Sequence, residues 1–223
     1  NREMGGYLFF ESDSRKRFRM GGGYIRSVAT ENQFSFLRYQ LGFSYQPTDR
    51  LNLELEVEYN ERPSQTQYLT AFNFNENDNY LLADINNNQL STVLRLNYSI
   101  TPNMSLQFYG EPFITSVDYK RFNTVNNPIA KSLDDRISYL SDAQVNFENN
   151  RYLVDFNQDQ NVDLSFQNPD FTYFQFRSNL VFRWEYIPGS ELFLVWNRGI
   201  SNYGSLAPSL GDAYFDQLSG ENV

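Results

Sequence analysis

Residues 89–100 read Gln89-Leu90-Ser91-Thr92-Val93-Leu94-Arg95-Leu96-Asn97-Tyr98-Ser99-Ile100. The even positions are Leu90, Thr92, Leu94, Leu96, Tyr98 and Ile100. The odd positions are Gln89, Ser91, Val93, Arg95, Asn97 and Ser99. Successive side chains of a strand point to opposite faces, so this stretch predicts a strand with one oily and one wet side. A helix would scatter Arg95 and Asn97 round its circumference. The stretch 51–60 repeats the pattern. Leu51, Leu53, Leu55, Val57 and Tyr59 alternate with Asn52, Glu54, Glu56, Glu58 and Asn60.

Working outward, eight such strands are expected, at about 5–12, 16–27, 34–46, 51–61, 88–100, 104–117, 171–186 and 191–200. Most have about ten residues or more, longer than the usual globular strand and suited to a tilted bilayer crossing. The connections alternate in length. Asp13-Ser14-Arg15, Pro47-Thr48-Asp49-Arg50, Thr101-Pro102-Asn103 and Ile187-Pro188-Gly189-Ser190 are short and rich in turn formers. The others, at about 28–33, 62–87 and 118–170, are longer. Short turns at one end and long loops at the other is the layout of an outer-membrane barrel.

Three hairpins share a local repeat. Tyr45 precedes Leu51, Tyr98 precedes Met104 and Tyr186 precedes Leu192 by the same interval, each pair spanning a Pro-containing turn. A Tyr beside each short turn suits an interfacial aromatic belt, because the ring is apolar and the hydroxyl polar. Charge position agrees. In 51–60, 88–100, 104–112 and 177–186 the oily side carries no charged residue. The other side carries Glu54, Glu56, Glu58, Arg95, Glu111, Arg177, Arg183 and Glu185. A charge facing mid-membrane lipid costs about 2–4 kcal/mol, whereas a wet lumen tolerates it. A soluble β-sandwich also alternates, but with shorter strands and frequent turns at both ends.

Composition narrows the chemistry. The 223 residues contain no Cys and no His. That removes disulfides, thiol nucleophiles, zinc knuckles and the usual His-based triads. With 18 basic against 27 acidic residues, the net charge is −9, which disfavours a broad nucleic-acid surface. The longest apolar run, Leu192-Phe193-Leu194-Val195-Trp196, is far shorter than the about 20 residues of a membrane helix. Without an initiator Met or a signal peptide at Asn1, the chain reads as mature or partial.

The segments LSTVLRLNYSITPNMSLQFYGEPFITSVD from Leu90 to Asp118 and FQFRSNLVFRWEYIPGSELFLVW from Phe174 to Trp196 resemble a family of Bacteroidota outer-membrane β-barrels. It is catalogued as a domain of unknown function, number 5916. The resemblance implies the C-terminal part of a larger barrel, often following a domain similar to family 9 carbohydrate-binding modules. No such domain is visible in this chain. The resemblance further implies one more amphipathic strand, starting near Ser219-Gly220-Glu221-Asn222-Val223.

Several residues suggest chemistry. Glu54, Glu56 and Glu58 could attract cations or bind sugar hydroxyls, or simply be balanced by bases such as Arg38 and Arg95. A glycosidase pair among them is a weaker option. Asn157, Asp159, Asn161 and Asp163 have the spacing of Ca²⁺ ligands, but Val162 and Asn168 occupy the positions of the loop Gly and bidentate Glu. Tyr68, Phe72, Phe74, Tyr80, Tyr119, Tyr139, Phe147, Tyr152 and Phe166 could stack on glycans or pack the loops over the barrel mouth. Gly21-Gly22-Gly23 lies within a strand, where a bend or a close approach is expected rather than a phosphate loop.

The expected fold is thus an all-β, antiparallel, up-and-down transmembrane barrel, with about eight strands in 1–223 and long extracellular loops at 62–87 and 118–170. The expected role is a non-catalytic anchor or accessory component in extracellular carbohydrate handling at the cell outer membrane. The alternatives are a passive or substrate-specific channel and a structural subunit of a larger outer-membrane complex. No catalytic, metal or cofactor residue is assigned, and no cofactor is expected. Expected partners are outer-membrane lipid, extracellular glycan and other outer-membrane proteins, not nucleic acid.

Overall fold

The computed structural model describes residues 2–29, 31 and 33–220. Its elements, in chain order, are β1 (Glu3–Glu11), β2 (Phe18–Ala29), β3 (Ser35–Thr48), β4 (Leu51–Phe74), β5 (Asn77–Thr101), β6 (Met104–Val125), α1 (Leu133–Arg136), β7 (Ile137–Tyr139), β8 (Val145–Glu148), β9 (Arg151–Val154), β10 (Leu164–Gln167), β11 (Phe171–Ile187), β12 (Ser190–Gly204) and α2 (Leu210–Ser219). All eight expected long strands form. They make one antiparallel sheet in the order β1-β2-β3-β4-β5-β6-β11-β12, with β7 beside the upper end of β6. A second sheet holds β8, β9 and β10. Here "lower" means the end with the short turns.

Among the described residues the eight long strands do not close on themselves, as expected of part of a larger barrel: β1 bonds only to β2 and β12 only to β11, so the wall remains an open sheet. The loop at 62–87 differs from the expectation: β4 and β5 run on through it and turn at Asn75 and Glu76, both at positive φ. The segment 118–170 contains the top of β6, α1 and β7 to β10. The connection at 28–33 falls partly outside the described residues, as do positions 221–223 of the expected last strand. Ser219 ends a helix instead.

The register explains the shape. β2 begins at Phe18, opposite Tyr45, three residues before β3 ends at Thr48. β4 begins at Leu51, opposite Tyr98, three residues before β5 ends at Thr101. β6 begins at Met104, opposite Trp184, three residues before β11 ends at Ile187. Each hairpin therefore steps down by the same amount, about 10 Å of strand over two strand spacings of about 4.8 Å. If the short turns lie in one plane, the strands tilt about 45° from its normal, close to the tilt of barrel walls.

Paired residues share a face. In the lower half the outer face is the oily one: Tyr45 lies opposite Leu53, Phe43 opposite Leu55, Leu96 opposite Phe108 and Leu180 opposite Trp196. Neither protein layer covers most of this face. Leu41, Tyr45, Leu94, Tyr98, Leu194 and Trp196 are all exposed. Tyr39 sits between Tyr24 and Tyr59, aligning three tyrosines across β2, β3 and β4. In the third hairpin the ring opposite the first strand Leu is Trp184, paired with Leu192. Tyr186, expected beside this short turn, is exposed next to it at the irregularity between Glu185 and Ile187.

Above the tyrosine row the faces exchange character. One pairing step beyond it, the outer positions become Arg26, Glu61, Asn88, Ser116 and Thr172, with Leu37 the exception. On the inner face Leu81 and Ala83 are fully buried and Phe122 nearly so. They pack with Tyr119, Tyr152, Leu164 and Phe166 beneath the small sheet of β8 to β10. The upper half is therefore a two-layer structure with an ordinary core.

Candidate functional site: the charged face and its cap

The lower inner face is built by the alternating polar positions of β2 to β11, and their charges pair across strands. Arg95 Nη1 lies 2.9 Å from Glu56 Oε1 and 3.9 Å from Glu54 Oε2. Arg38 Nη2 lies 3.5 Å from Glu58 Oε1. Its Nε donates to Asn60 Oδ1 at 2.8 Å, and Asn60 Nδ2 donates to Glu58 Oε1 at 2.8 Å. Asn52 Nδ2 donates to Glu54 Oε1 at 2.9 Å. The Glu54, Glu56 and Glu58 stripe is thus matched by the two bases that sequence reasoning paired with it. Tyr109 donates to Glu111 Oε2 at 2.8 Å while the Arg95 guanidinium sits over its ring. Arg183 pairs with Glu191 at the lower edge. These pairs are partly exposed, so each contributes little to stability and the network mainly sets a charge pattern.

Towards β1 this face forms a shallow hollow lined by Arg19, Gln40, Ser44, Glu54 and Glu56. Gly21 lies opposite Gly42, which leaves its floor without side chains. Gly22 and Gly23 serve a different purpose. A Cβ on Gly23 would lie 2.4 Å from the Phe9 ring, and one on Gly22 would lie 2.5 Å from the Phe10 ring. Each glycine receives the ring of its β1 partner, Phe9 on the inner side and Phe10 on the outer. The expected close approach is therefore made by the neighbouring strand.

The cap takes up most of the rings that sequence reasoning assigned to loops. Phe72 stacks on Phe156 with centroids 4.6 Å apart, and Phe74 lies 5.3 Å from the same ring. Phe122 meets Tyr152 at 4.7 Å and Phe166 at 5.2 Å, both edge-on. Tyr68, Tyr80 and Phe147 stay exposed. Tyr139 is outside that core: its hydroxyl donates to Asp84 Oδ1 at 3.0 Å, while Arg121 pairs with the other oxygen and lies over the Tyr139 ring. Burial first, then the Asp84 carboxylate, push the Tyr139 hydroxyl up to about 12. Desolvation likewise raises the Asp170 carboxyl, although it accepts from Tyr119 N at 2.7 Å.

Three of the four side chains at the Ca²⁺-like spacing turn an oxygen to the backbone. Asn157 Oδ1 accepts from Asp159 N at 3.0 Å, Asp159 Oδ1 from Asn161 N at 2.9 Å and Asp163 Oδ2 from Phe156 N at 2.7 Å. The Asn161 N–H and the Asn157 amide hold Asp159 below the usual carboxylate range. These are turn-forming hydrogen bonds. The helix α2 went unread in the sequence. Its signals were Ser209, whose side chain accepts from Asp212 N, and Gly220 in the left-handed region at its end.

Together these features define an all-β, antiparallel wall with one oily face, one charge-paired face and a small capping sheet at its upper end. The chain belongs to the family described as domain of unknown function DUF5916, whose model matches residues 1–220. No curated protein and no solved structure matches it.

Proposed function

We propose that this chain is a section of the wall of a transmembrane β-barrel in the cell outer membrane, serving as a non-catalytic anchor in extracellular carbohydrate handling. The observation that carries the membrane part is the exchange of faces along β4, β5 and β6. In the lower half the oily side is outer and uncovered; in the upper half it is inner and covered by protein. Water on both sides of the wall would penalise the lower half, because a contiguous oily surface of that extent is costly to hydrate. A hydrocarbon band around the lower half removes the penalty. The uniform step of the hairpins and the tyrosines at both ends of the oily band support the same reading.

Backbone groups at an open sheet edge are not tolerated in lipid. The proposal therefore includes further strands bonded to β1 and β12, from a longer protein or from another chain. A non-catalytic role is supported by the pairing of the Glu stripe with Arg38 and Arg95. The carbohydrate part rests on the family resemblance. A channel is the second reading, favoured by the charged inner face.

Planar-bilayer recording of the full-length barrel separates the two. The anchor reading expects no sustained conductance with the cap intact, and steady single-channel steps would replace it with the channel. Glycan-array binding before and after removal of 119–169 tests the carbohydrate part. Loss of binding supports a site on the cap; unchanged binding counts against one.

A further inference from the structure

The helix α2 lies on the outer face, the one assigned above to lipid. Tyr214 is buried against Ile114 and Phe174, with Leu90 and Phe176 also in the cluster. The tilt explains why these four need protein cover. Each hairpin steps down three residues, about one and a half per strand. Carried at that slope from Tyr59, the upper edge of the oily band passes between Leu90 and Thr92. It continues near Glu111, near Ser178 and near Trp196. Leu90, Ile114, Phe174 and Phe176 therefore stand above the band, together with Arg198.

Helical geometry gives α2 three sides. Leu210, Ala213 and Tyr214 face the sheet. Asp212, Asp216 and Ser219 form the back. Phe215 and Leu218 form one flank and are 66% and 42% exposed. Gln217 lies on the sheet side beside Ala213 and is bonded to Asn202 near the top of β12, where Asp212 and Asp216, on the side opposite Phe215 and Leu218, line a hollow. The Phe215 flank thus lies on the side away from the upper end of β12.

We infer that α2 is an interfacial helix: it seats on the wall just above the hydrocarbon and immerses its Phe215–Leu218 flank in the lipid boundary, with Asp212 and Asp216 in water. The occupant of that flank is the bilayer leaflet on the cap side, because the flank continues the oily face without a protein layer between them. Helices of this kind sit with their apolar side about 5–10 Å into the headgroup region. The inference rests on the membrane reading above, and its test separates the two.

The chain has no Cys, so single substitutions Leu94→Cys, Phe215→Cys and Asp212→Cys give clean sites for a nitroxide label. The labelled protein is reconstituted in phosphatidylcholine vesicles, and accessibility to oxygen is compared with accessibility to a water-soluble nickel chelate. The inference expects an oxygen-to-nickel ratio several-fold higher at positions 94 and 215 than at 212. A high ratio at 94 with a low ratio at 215 overturns the interfacial helix and leaves the membrane wall standing. A low ratio at all three overturns both.

Discussion

The lower and upper halves of β5 run in one continuous strand yet obey opposite rules. From Leu94 to Ile100 the even residues are oily and have no second layer over them; from Leu81 to Ile85 the odd residues are oily and lie under the cap. Strand geometry is the same in both, so the difference lies in what surrounds them. Below, the wall has a single layer and its oily side is left uncovered by protein; on the membrane proposal, hydrocarbon covers it. Above, it has two layers and an aromatic core of the kind any soluble β-domain uses. Alternation therefore reports an amphipathic strand, while its phase relative to the cap reports which half is covered by protein and, on the membrane proposal, where the medium changes.

The largest expected effect comes from violating the lower-half rule. Leu94→Arg puts a charge into the oily band and should cost about 2–4 kcal/mol of barrel stability, read as loss of assembled protein in membranes. Arg95→Leu, one residue away on the charged face, should leave assembly intact. Equal tolerance of both would break the assignment of faces. Next is the upper core: Phe122→Ala removes the ring between Tyr152 and Phe166 and should cost the cap about 3–5 kcal/mol. Proteolysis within 140–168 should then accelerate while membrane insertion persists. Loss of insertion as well would mean the two halves are not separable.

The smallest effect concerns Tyr139. Its hydroxyl is raised to about 12, so the folded state favours the neutral phenol. The stability it contributes is fully present below the ordinary Tyr value near 10 and is lost as pH rises through about 12. Tyr139→Phe should weaken the cap by about 1 kcal/mol at neutral pH and flatten its alkaline unfolding profile over that window. An unchanged alkaline profile would remove Tyr139 from the account.

Much of the wall could be read in the sequence because side-chain alternation and Pro-containing turns are local signals. The Glu stripe and its partners Arg38 and Arg95 were legible for the same reason: parity alone places them on one face. The tops of β4 and β5 were not. Pro63, the irregularities between Ser64 and Gln67 and between Tyr68 and Thr70, and the Asn-rich turn interrupt the period, so a strand looked like a loop. The four-residue strands β8 to β10 are too short to show a period. They exist because Phe122 and its neighbours give them a surface to cover. Alternating turn lengths set neighbour order rather than strand number, so the number of strands that complete the wall was not legible, and among the described residues the edges at β1 and β12 remain open.

The central claim, that hydrocarbon covers the oily face below the tyrosine row and nothing above it, is tested most directly by a single-cysteine fluorophore scan along β5 in vesicles containing brominated lipid. The account predicts quenching at even positions from 94 to 100, little at odd positions there, and none from 78 to 88. Quenching that continued with the same phase through both halves, or that was absent throughout, would contradict it.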